Sequence, residues 1–174
     1  MIRSPQHWPR EPVDETGLRE RLPTEIDWRF SRFGELSPVE LARIYRARQQ
    51  VFTIEQQCIY LDADEHDESS HHLAAWSPEH TEPLAYARIV SPGGKYTEPS
   101  IGRVITTQAA RGLGLGRELV RRAIEHSAQV HRGQAIRISA QSRLARFYAD
   151  FGFVAVGEPY MEDGIPHLEM LRPA

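Results

Sequence analysis

Cysteine is almost missing from this 174-residue sequence, which carries one, Cys58. A lone thiol excludes an internal disulfide and fits a reducing compartment, where it serves best as a small buried apolar side chain. Lysine is as rare: Lys95 is the one lysine among 21 basic residues, a bias that by itself carries no functional reading. No apolar run approaches the ~20 residues that span a bilayer, and the stretch Met1 to Trp8 has no signal-peptide apolar core, so the chain is expected in the cytoplasm and off the membrane. Excess positive charge is absent too. A net charge of −3 provides no electrostatic footprint for nucleic acid. What is present, 40% hydrophobic and 26% charged residues, suffices for one buried core and is short for two.

Residues 1 to 24 place Pro5, Pro9, Pro12 and Pro23 among charges without apolar periodicity and read as a mobile extension. One folded domain is expected over 25–174. A strand is expected at Ile26 to Phe33. Ser37-Pro38-Val39-Glu40 then gives an N-cap, a first-turn proline and a capping Glu, and Leu41, Ile44, Tyr45, Arg48, Val51 and Phe52 recur at helical steps to about Glu55 or Gln57. Residues 58 to 70 read as a polar loop whose acidic run, Asp62 to Glu68, is solvated. A hairpin of His72 to Trp76 and Pro83 to Val90 follows, then a loop, Ser91 to Ser100, and a β-branched stretch, Ile101 to Thr107. Leu119, Val120, Ala123, Ile124 and Ser127 mark a second helix from near Gly114. A strand at Ala135 to Ala140, a short helix, a strand at Phe153 to Met161, a turn and an end strand at His167 to Leu171 complete the chain.

The most informative run is Arg111-Gly112-Leu113-Gly114-Leu115-Gly116, between a strand and a helix start. Glycines there let the backbone turn tightly and aim bare N–H groups at one point, where the helix N-terminus adds positive potential, an arrangement suited to phosphate. The spacing G-x-G-x-G is not the dinucleotide fingerprint G-x-G-x-x-G, and Arg117-Glu118 stands where a Walker loop needs Lys-Ser/Thr. It does match Q/R-x-x-G-x-G/A, with Arg111, Gly114 and Gly116 in the fixed places. That pattern resembles the pyrophosphate loop of GCN5-related N-acetyltransferases. The run Gln141-Ser142-Arg143-Leu144-Ala145-Arg146-Phe147-Tyr148 with Gly152-Phe153 is similar to the same family's later motif, with Gln141 where Asn is usual and Tyr148 at the tyrosine that faces the coenzyme sulfur. A narrower resemblance, to the ElaA family, is carried by Arg48 to Gln56, His71-His72-Leu73, Ala85 to Arg88, Gly102-Arg103-Val104 and Glu162 to His167.

The resemblance covers roughly residues 26 to 172. It implies an α/β GNAT acyl-CoA N-acyltransferase fold: a mixed, mostly antiparallel sheet of six to seven strands, split open for a pantetheine arm, with helices on both faces. It implies acetyl-CoA as co-substrate, held by Val104, Ile105 and Thr106 of the strand, by Arg111, Gly112, Leu113, Gly114, Leu115, Gly116 and Arg117 of the loop, and by Gln141, Arg143, Phe147 and Tyr148. It also allows a homodimer through end strands.

Acetyl transfer needs a neutral amine, a stabilised oxyanion and a proton for the leaving thiolate. Tyr148 is the candidate acid, and a backbone N–H within Val104 to Thr106 the candidate oxyanion donor. For the base, Glu55 at the end of the first helix competes with His167, which Asp163 orients; a solvated helix end and a plain turn are the bland alternatives. Asp64, Arg88 and Asp163 are candidate contacts to a small-molecule or peptide amine. The acidic run is not an EF-hand, since position six is Asp67 rather than Gly. His71 and His72 alternate sides of a strand, so no metal is expected. Two rival readings remain: an acetyl-CoA sensor without catalysis, and an acyl-homoserine-lactone-synthase-like acyltransferase, faintly suggested by Arg48, Phe52, Asp64, Asp67 and Arg88.

Overall fold

Strand alternation sorts the core onto two faces. On one face Leu73, Ala75, Ala85, Ala87 and Ile89 pack with Leu119, Val120 and Ala123. On the other, Ala74, Trp76 and Tyr86 pack with Ile44, Ala47 and Val51. Successive side chains of one strand thus meet different helices, which gives a helix–sheet–helix sandwich. The protein is seen in a computed structural model that describes residues 23–174; the expected N-terminal extension lies almost wholly outside them.

The elements are β1 (Asp27–Arg32), α1 (Pro38–Gln49), α2 (His66–Ser69), β2 (His71–Trp76), β3 (Ala85–Val90), β4 (Ser100–Thr106), α3 (Leu115–Val130), β5 (Ile136–Gln141), α4 (Ala145–Ala149), β6 (Val154–Ala155), β7 (Tyr160–Glu162) and β8 (Ile165–Arg172). All eight strands join one sheet in the order β1-β2-β3-β4-β5-β8-β6, with β7 also on β8. Among the described residues only β4 and β5 run parallel. Strand β3, central in its half and buried at every position, is apolar but for Arg88, as a strand covered on both faces must be.

Local signals account for the helix starts. Glu40 N–H donates to Ser37 Oγ (3.2 Å), and Ser37 N–H donates to Glu40 Oε2 (2.8 Å), the reciprocal cap expected from the sequence. Beyond Gln49 the helix widens into a π turn, Gln50–Glu55, a form that favours functional positions. Helix α3 buries the predicted stripe of Leu119, Val120, Ala123, Ile124 and Ser127, and Leu115 as well.

Two expectations change. The strand expected from Phe153 to Met161 is two strands, because Gly157 turns with φ +83° and Pro159 cannot donate to a ladder; the sheet therefore has eight strands where six to seven were expected. The segment 58–70 is not a solvated loop. It contains α2, and Asp62 and Asp67 are 6% and 1% exposed, because buried arginines reach them from other elements.

The sheet is two half-sheets. β4 and β5 share a single rung, Ser100 opposite Arg137, supported by Arg137 N–H donating to Pro99 O at 3.0 Å. Beyond that rung the strands diverge and leave a cleft.

Candidate active site

The cleft holds about 840 Å3 and takes its walls from β4, from Ile138 to Gln141 of β5, from the π turn and the segment after it, from α4 and from the β7–β8 hairpin. Backbone groups of β4 line it because β5 has moved away. Thr107 N–H donates to Leu84 O on the β3 side at 3.0 Å; by alternation Ile105 turns toward β3, and Val104 and Thr106 toward the open edge.

Tyr148 stands in the cleft wall at 7% exposure, set edge-on against Phe147 and Phe153. Desolvation disfavours the phenolate and pushes its pKa up to about 12. The phenol is therefore protonated at neutral pH, and among the described residues it makes no hydrogen bond to protein. Its Oη is available to a ligand.

The glycine loop lies at the cleft mouth. Gly112 and Gly114 are left-handed, φ +78° and +80°, and Gly114 caps α3. Arg117 and Glu118 N–H donate to Gly114 O and open a 16-residue helix whose N-terminal end carries positive potential. Arg111 folds across this mouth, donating to Thr106 O (3.2 Å) and to the Glu55 carboxylate. On the far wall Gln141 Nε2 donates to Gln56 Oε1 (3.0 Å), and Arg143 Nε donates to Gln141 Oε1 (2.9 Å).

A glycine turn at a helix N-terminus thus stands beside a split between two strands whose wall carries a desolvated tyrosine. The model of the acetyltransferase (GNAT) domain matches residues 44–172. The chain belongs to the GNAT acetyltransferase family. A UPF0039 protein from Synechocystis is 43% identical over 147 residues, 84% of this chain and 95% of that one. Solved GNAT-fold relatives include an acyl-CoA N-acyltransferase from Pseudomonas aeruginosa, with a TM-score of 0.81 and 38% identity, and Escherichia coli ElaA, with 0.79 and 35%. Each alignment covers 85% of this chain and 99% of the other. The protein is an acyltransferase of that family.

The structure brings many of the expected site residues to the wall of one cleft. Glu55, Arg88, Val104, Ile105, Thr106, Arg111, Gln141, Arg143, Tyr148, Asp163 and His167 all line the cleft. Gly112 to Arg117 follow Arg111 at the cleft mouth without lining the cleft itself, and Phe147, also outside the lining, packs edge-on against Tyr148. Asp163 and Gly164 form a two-residue hairpin turn, φ +50° and +77°, between paired Glu162 and Ile165; Asp163 thus serves the turn and also borders the cleft. His167 Nδ1 lies 2.9 Å from Ile165 O, not against Asp163. A carbonyl only accepts, so Nδ1 donates this bond, and in the neutral ring Nε2 is the nitrogen with the free lone pair.

Asp64 is not part of the wall. Arg88 Nη2 donates to it at 2.9 Å and Arg103 Nη2 at 3.1 Å. Behind it, Arg48, fully buried, donates to Asp62 (2.7 Å) and Asp67 (2.7 and 3.2 Å). Burial alone would raise the Asp67 pKa, but the hydrogen bonds and charge of Arg48 and Arg88 outweigh it and bring it to about 2.

Gln56, Cys58, Tyr60 and Arg103 also line the cleft without having been expected there as site residues, and Cys58 is buried as expected. Apolar patterning would have misplaced them: Cys58, Tyr60 and Asp62 turn inward while the apolar Ile59 and Leu61 are 94% and 89% exposed. Burial raises the Cys58 pKa, with the negative charge of Asp163 adding to the effect, so the thiol stays protonated.

Proposed function

We propose that this acyltransferase moves the acetyl group of acetyl-CoA to a primary amine by direct attack in a ternary complex. The observation that carries the reading is Tyr148, desolvated, protonated and open to the cleft behind the glycine loop. The residues fit the co-substrate: Gly112 to Arg117 and Arg111 would hold the pyrophosphate, and the open edge of β4 the pantetheine arm, whose thioester supplies the electrophilic carbonyl.

Each remaining step belongs to a residue of this chain. Val104 or Thr106 N–H stabilises the oxyanion as the amine nitrogen bonds to the carbonyl carbon. Tyr148 gives its proton to the departing thiolate as the C–S bond breaks. The proton lost by the amine goes to His167 Nε2, whose lone pair is uncommitted, in preference to Glu55, whose carboxylate is engaged by Arg111. Asp163 and Arg88 border the acceptor side. The residues that resemble acyl-homoserine-lactone synthases, Arg48, Asp64, Asp67 and Arg88, neutralise one another, which favours a supporting role for them and amine acetylation over lactone synthesis.

Release of free CoA thiol across a panel of amines tests the reading. Turnover selective for one amine class is expected, with kcat falling roughly ten- to a thousandfold in Tyr148→Phe while CoA affinity is nearly unchanged. Binding of acetyl-CoA without turnover on any amine points to a sensor, and a fully active Tyr148→Phe enzyme leaves protonation to solvent.

A further inference from the structure

Among the described residues, three that are not glycine have left-handed backbone: Gln57, Arg103 and Asp163. Asp163 sits in a hairpin turn that calls for it. Arg103, φ +52°, sits inside strand β4. Tyr86 pairs with Ile105 and Arg88 with Gly102, so Ala87 alone opposes both Arg103 and Val104. This is a β-bulge with its first residue left-handed, a position that normally takes glycine. A glycine is next door and unused for the purpose: Gly102 does not have a left-handed φ, and a Cβ there would meet nothing within 4 Å.

The Arg103 side chain is engaged by the segment before α2. Its guanidinium lies 2.8 Å from Asp62 Oδ1 and 3.1 Å from Asp64 Oδ2, donates to Asp62 O at 3.2 Å, and lies over the Tyr60 ring at 5.3 Å. The clamp is itself anchored, since Asp62 Oδ2 accepts from Arg48 Nε at 2.7 Å. Because strand groups alternate sides, the extra residue decides which amides after it face β3 and which face the cleft.

We propose that Arg103 is a positioning residue for acyl transfer. The Asp62–Asp64 clamp fixes its left-handed backbone, and the bulge so formed aims the Val104 and Thr106 amides at the thioester carbonyl. Strain of this kind persists where surrounding contacts over-determine it and concentrates at functional sites. The segment 58–64, which also supplies Cys58 and Tyr60 to the wall, thereby couples the acceptor side of the cleft to the donor carbonyl. The proposal rests on the acetyl-transfer reading above.

Glycine against alanine at position 103 tests it, because both remove the guanidinium and only glycine adopts the left-handed backbone freely. With the amine selected by the panel, Arg103→Ala and Asp62→Asn are expected to lose about tenfold or more in kcat. Arg103→Gly should stay within about threefold of the unmodified protein, and adding Asp62→Asn to it should change kcat no further. CoA affinity by calorimetry should be alike in all. The carbonyl stretch of bound 13C-labelled acetyl-CoA gives the same comparison without turnover: red-shifted in the unmodified protein and in Arg103→Gly, less so in Arg103→Ala. If the alanine chain does not fold, Arg103→Asn replaces it and should fall between the two. Equal behaviour of the glycine and alanine variants, both active or both impaired, overturns the proposal. Failure of the unmodified protein to bind CoA overturns the acetyl-transfer reading instead.

Discussion

Gly114 and Gly116 occupy equivalent places in a motif but answer to different demands. Gly114 needs its backbone: φ is +80°, and a Cβ there would meet nothing within 4 Å. A valine at this position would therefore be strained by conformation and would stand in the open space in front of the helix N-terminus. Gly114→Val is expected to lower stability by about 1–2 kcal/mol, read by urea unfolding, and to abolish CoA binding by calorimetry. Gly116 already lies in α3, where a Cβ would be in ordinary contact with Thr106 at 3.6 Å. Gly116→Ala should fold at least as stably, by up to about 1 kcal/mol, so a large loss of CoA affinity in that variant would show close approach of the ligand to the backbone. Unchanged CoA affinity in Gly114→Val would sink the loop assignment. Such residues are legible from sequence because the glycine loop is local: strand, turn and helix start are neighbours in the chain. Arg103 was not legible, since nothing in Gly102-Arg103-Val104 says which of the three takes the left-handed seat. The answer depends on Asp62 and Asp64, 39 or more residues away.

At the scale of elements, the contrast lies between α3 and the segment around α2. α3 could be placed from its apolar stripe because burial there follows helical period. The acidic run Asp62 to Glu68 carries the composition of a solvated loop, yet Asp67 accepts from Arg48, 19 residues away, and from Arg88, 21 away. Charge balance between distant elements has no period to read. It does have a pH signature. The folded-state pKa of Asp67 is lowered to about 2, so its contribution is present above the unfolded carboxylate value, near 4, and is lost as pH falls toward about 2. Burial lowers the folded pKa of His71, His72, His126 and His131. Such groups bind protons more readily when unfolded, so stability also falls as pH drops through the ordinary imidazole value of about 6.5. Thermal midpoints measured from pH 8 to pH 3 should decline in two stages, the second reduced but not removed in Asp67→Asn, because arginine partners also hold Asp64 and Glu118 below the usual carboxylate range. A midpoint independent of pH over this range would mean that the buried pairs do not act through protonation.

The molecule as a whole is two half-sheets joined at one rung. Arg137 reinforces that junction, reaching Glu98 at 2.8 Å and Glu169 at 2.9 Å. A ligand lying between β4 and β5 touches both halves, so it should stabilise the entire fold. At a hundredfold excess over its dissociation constant, binding to the native state is worth about 2.7 kcal/mol, which for a chain of this size raises the thermal midpoint by about 5–10 °C. S-acetylpantetheine, which lacks the pyrophosphate, should give a smaller rise at the same concentration, and equal rises would mean that the glycine loop contributes nothing.

Lys95 stands in the wall of this same cleft, and the chain has no other lysine. Thioesters acylate free amines, and arginine, the cation used everywhere else here, is not nucleophilic at neutral pH. An acyltransferase with a single lysine thus offers few side-chain amines to an acyl donor of its own. Any lysine acylation it inflicts on itself is confined to one mass-spectrometric peptide, at the edge of the site where the donor would lie.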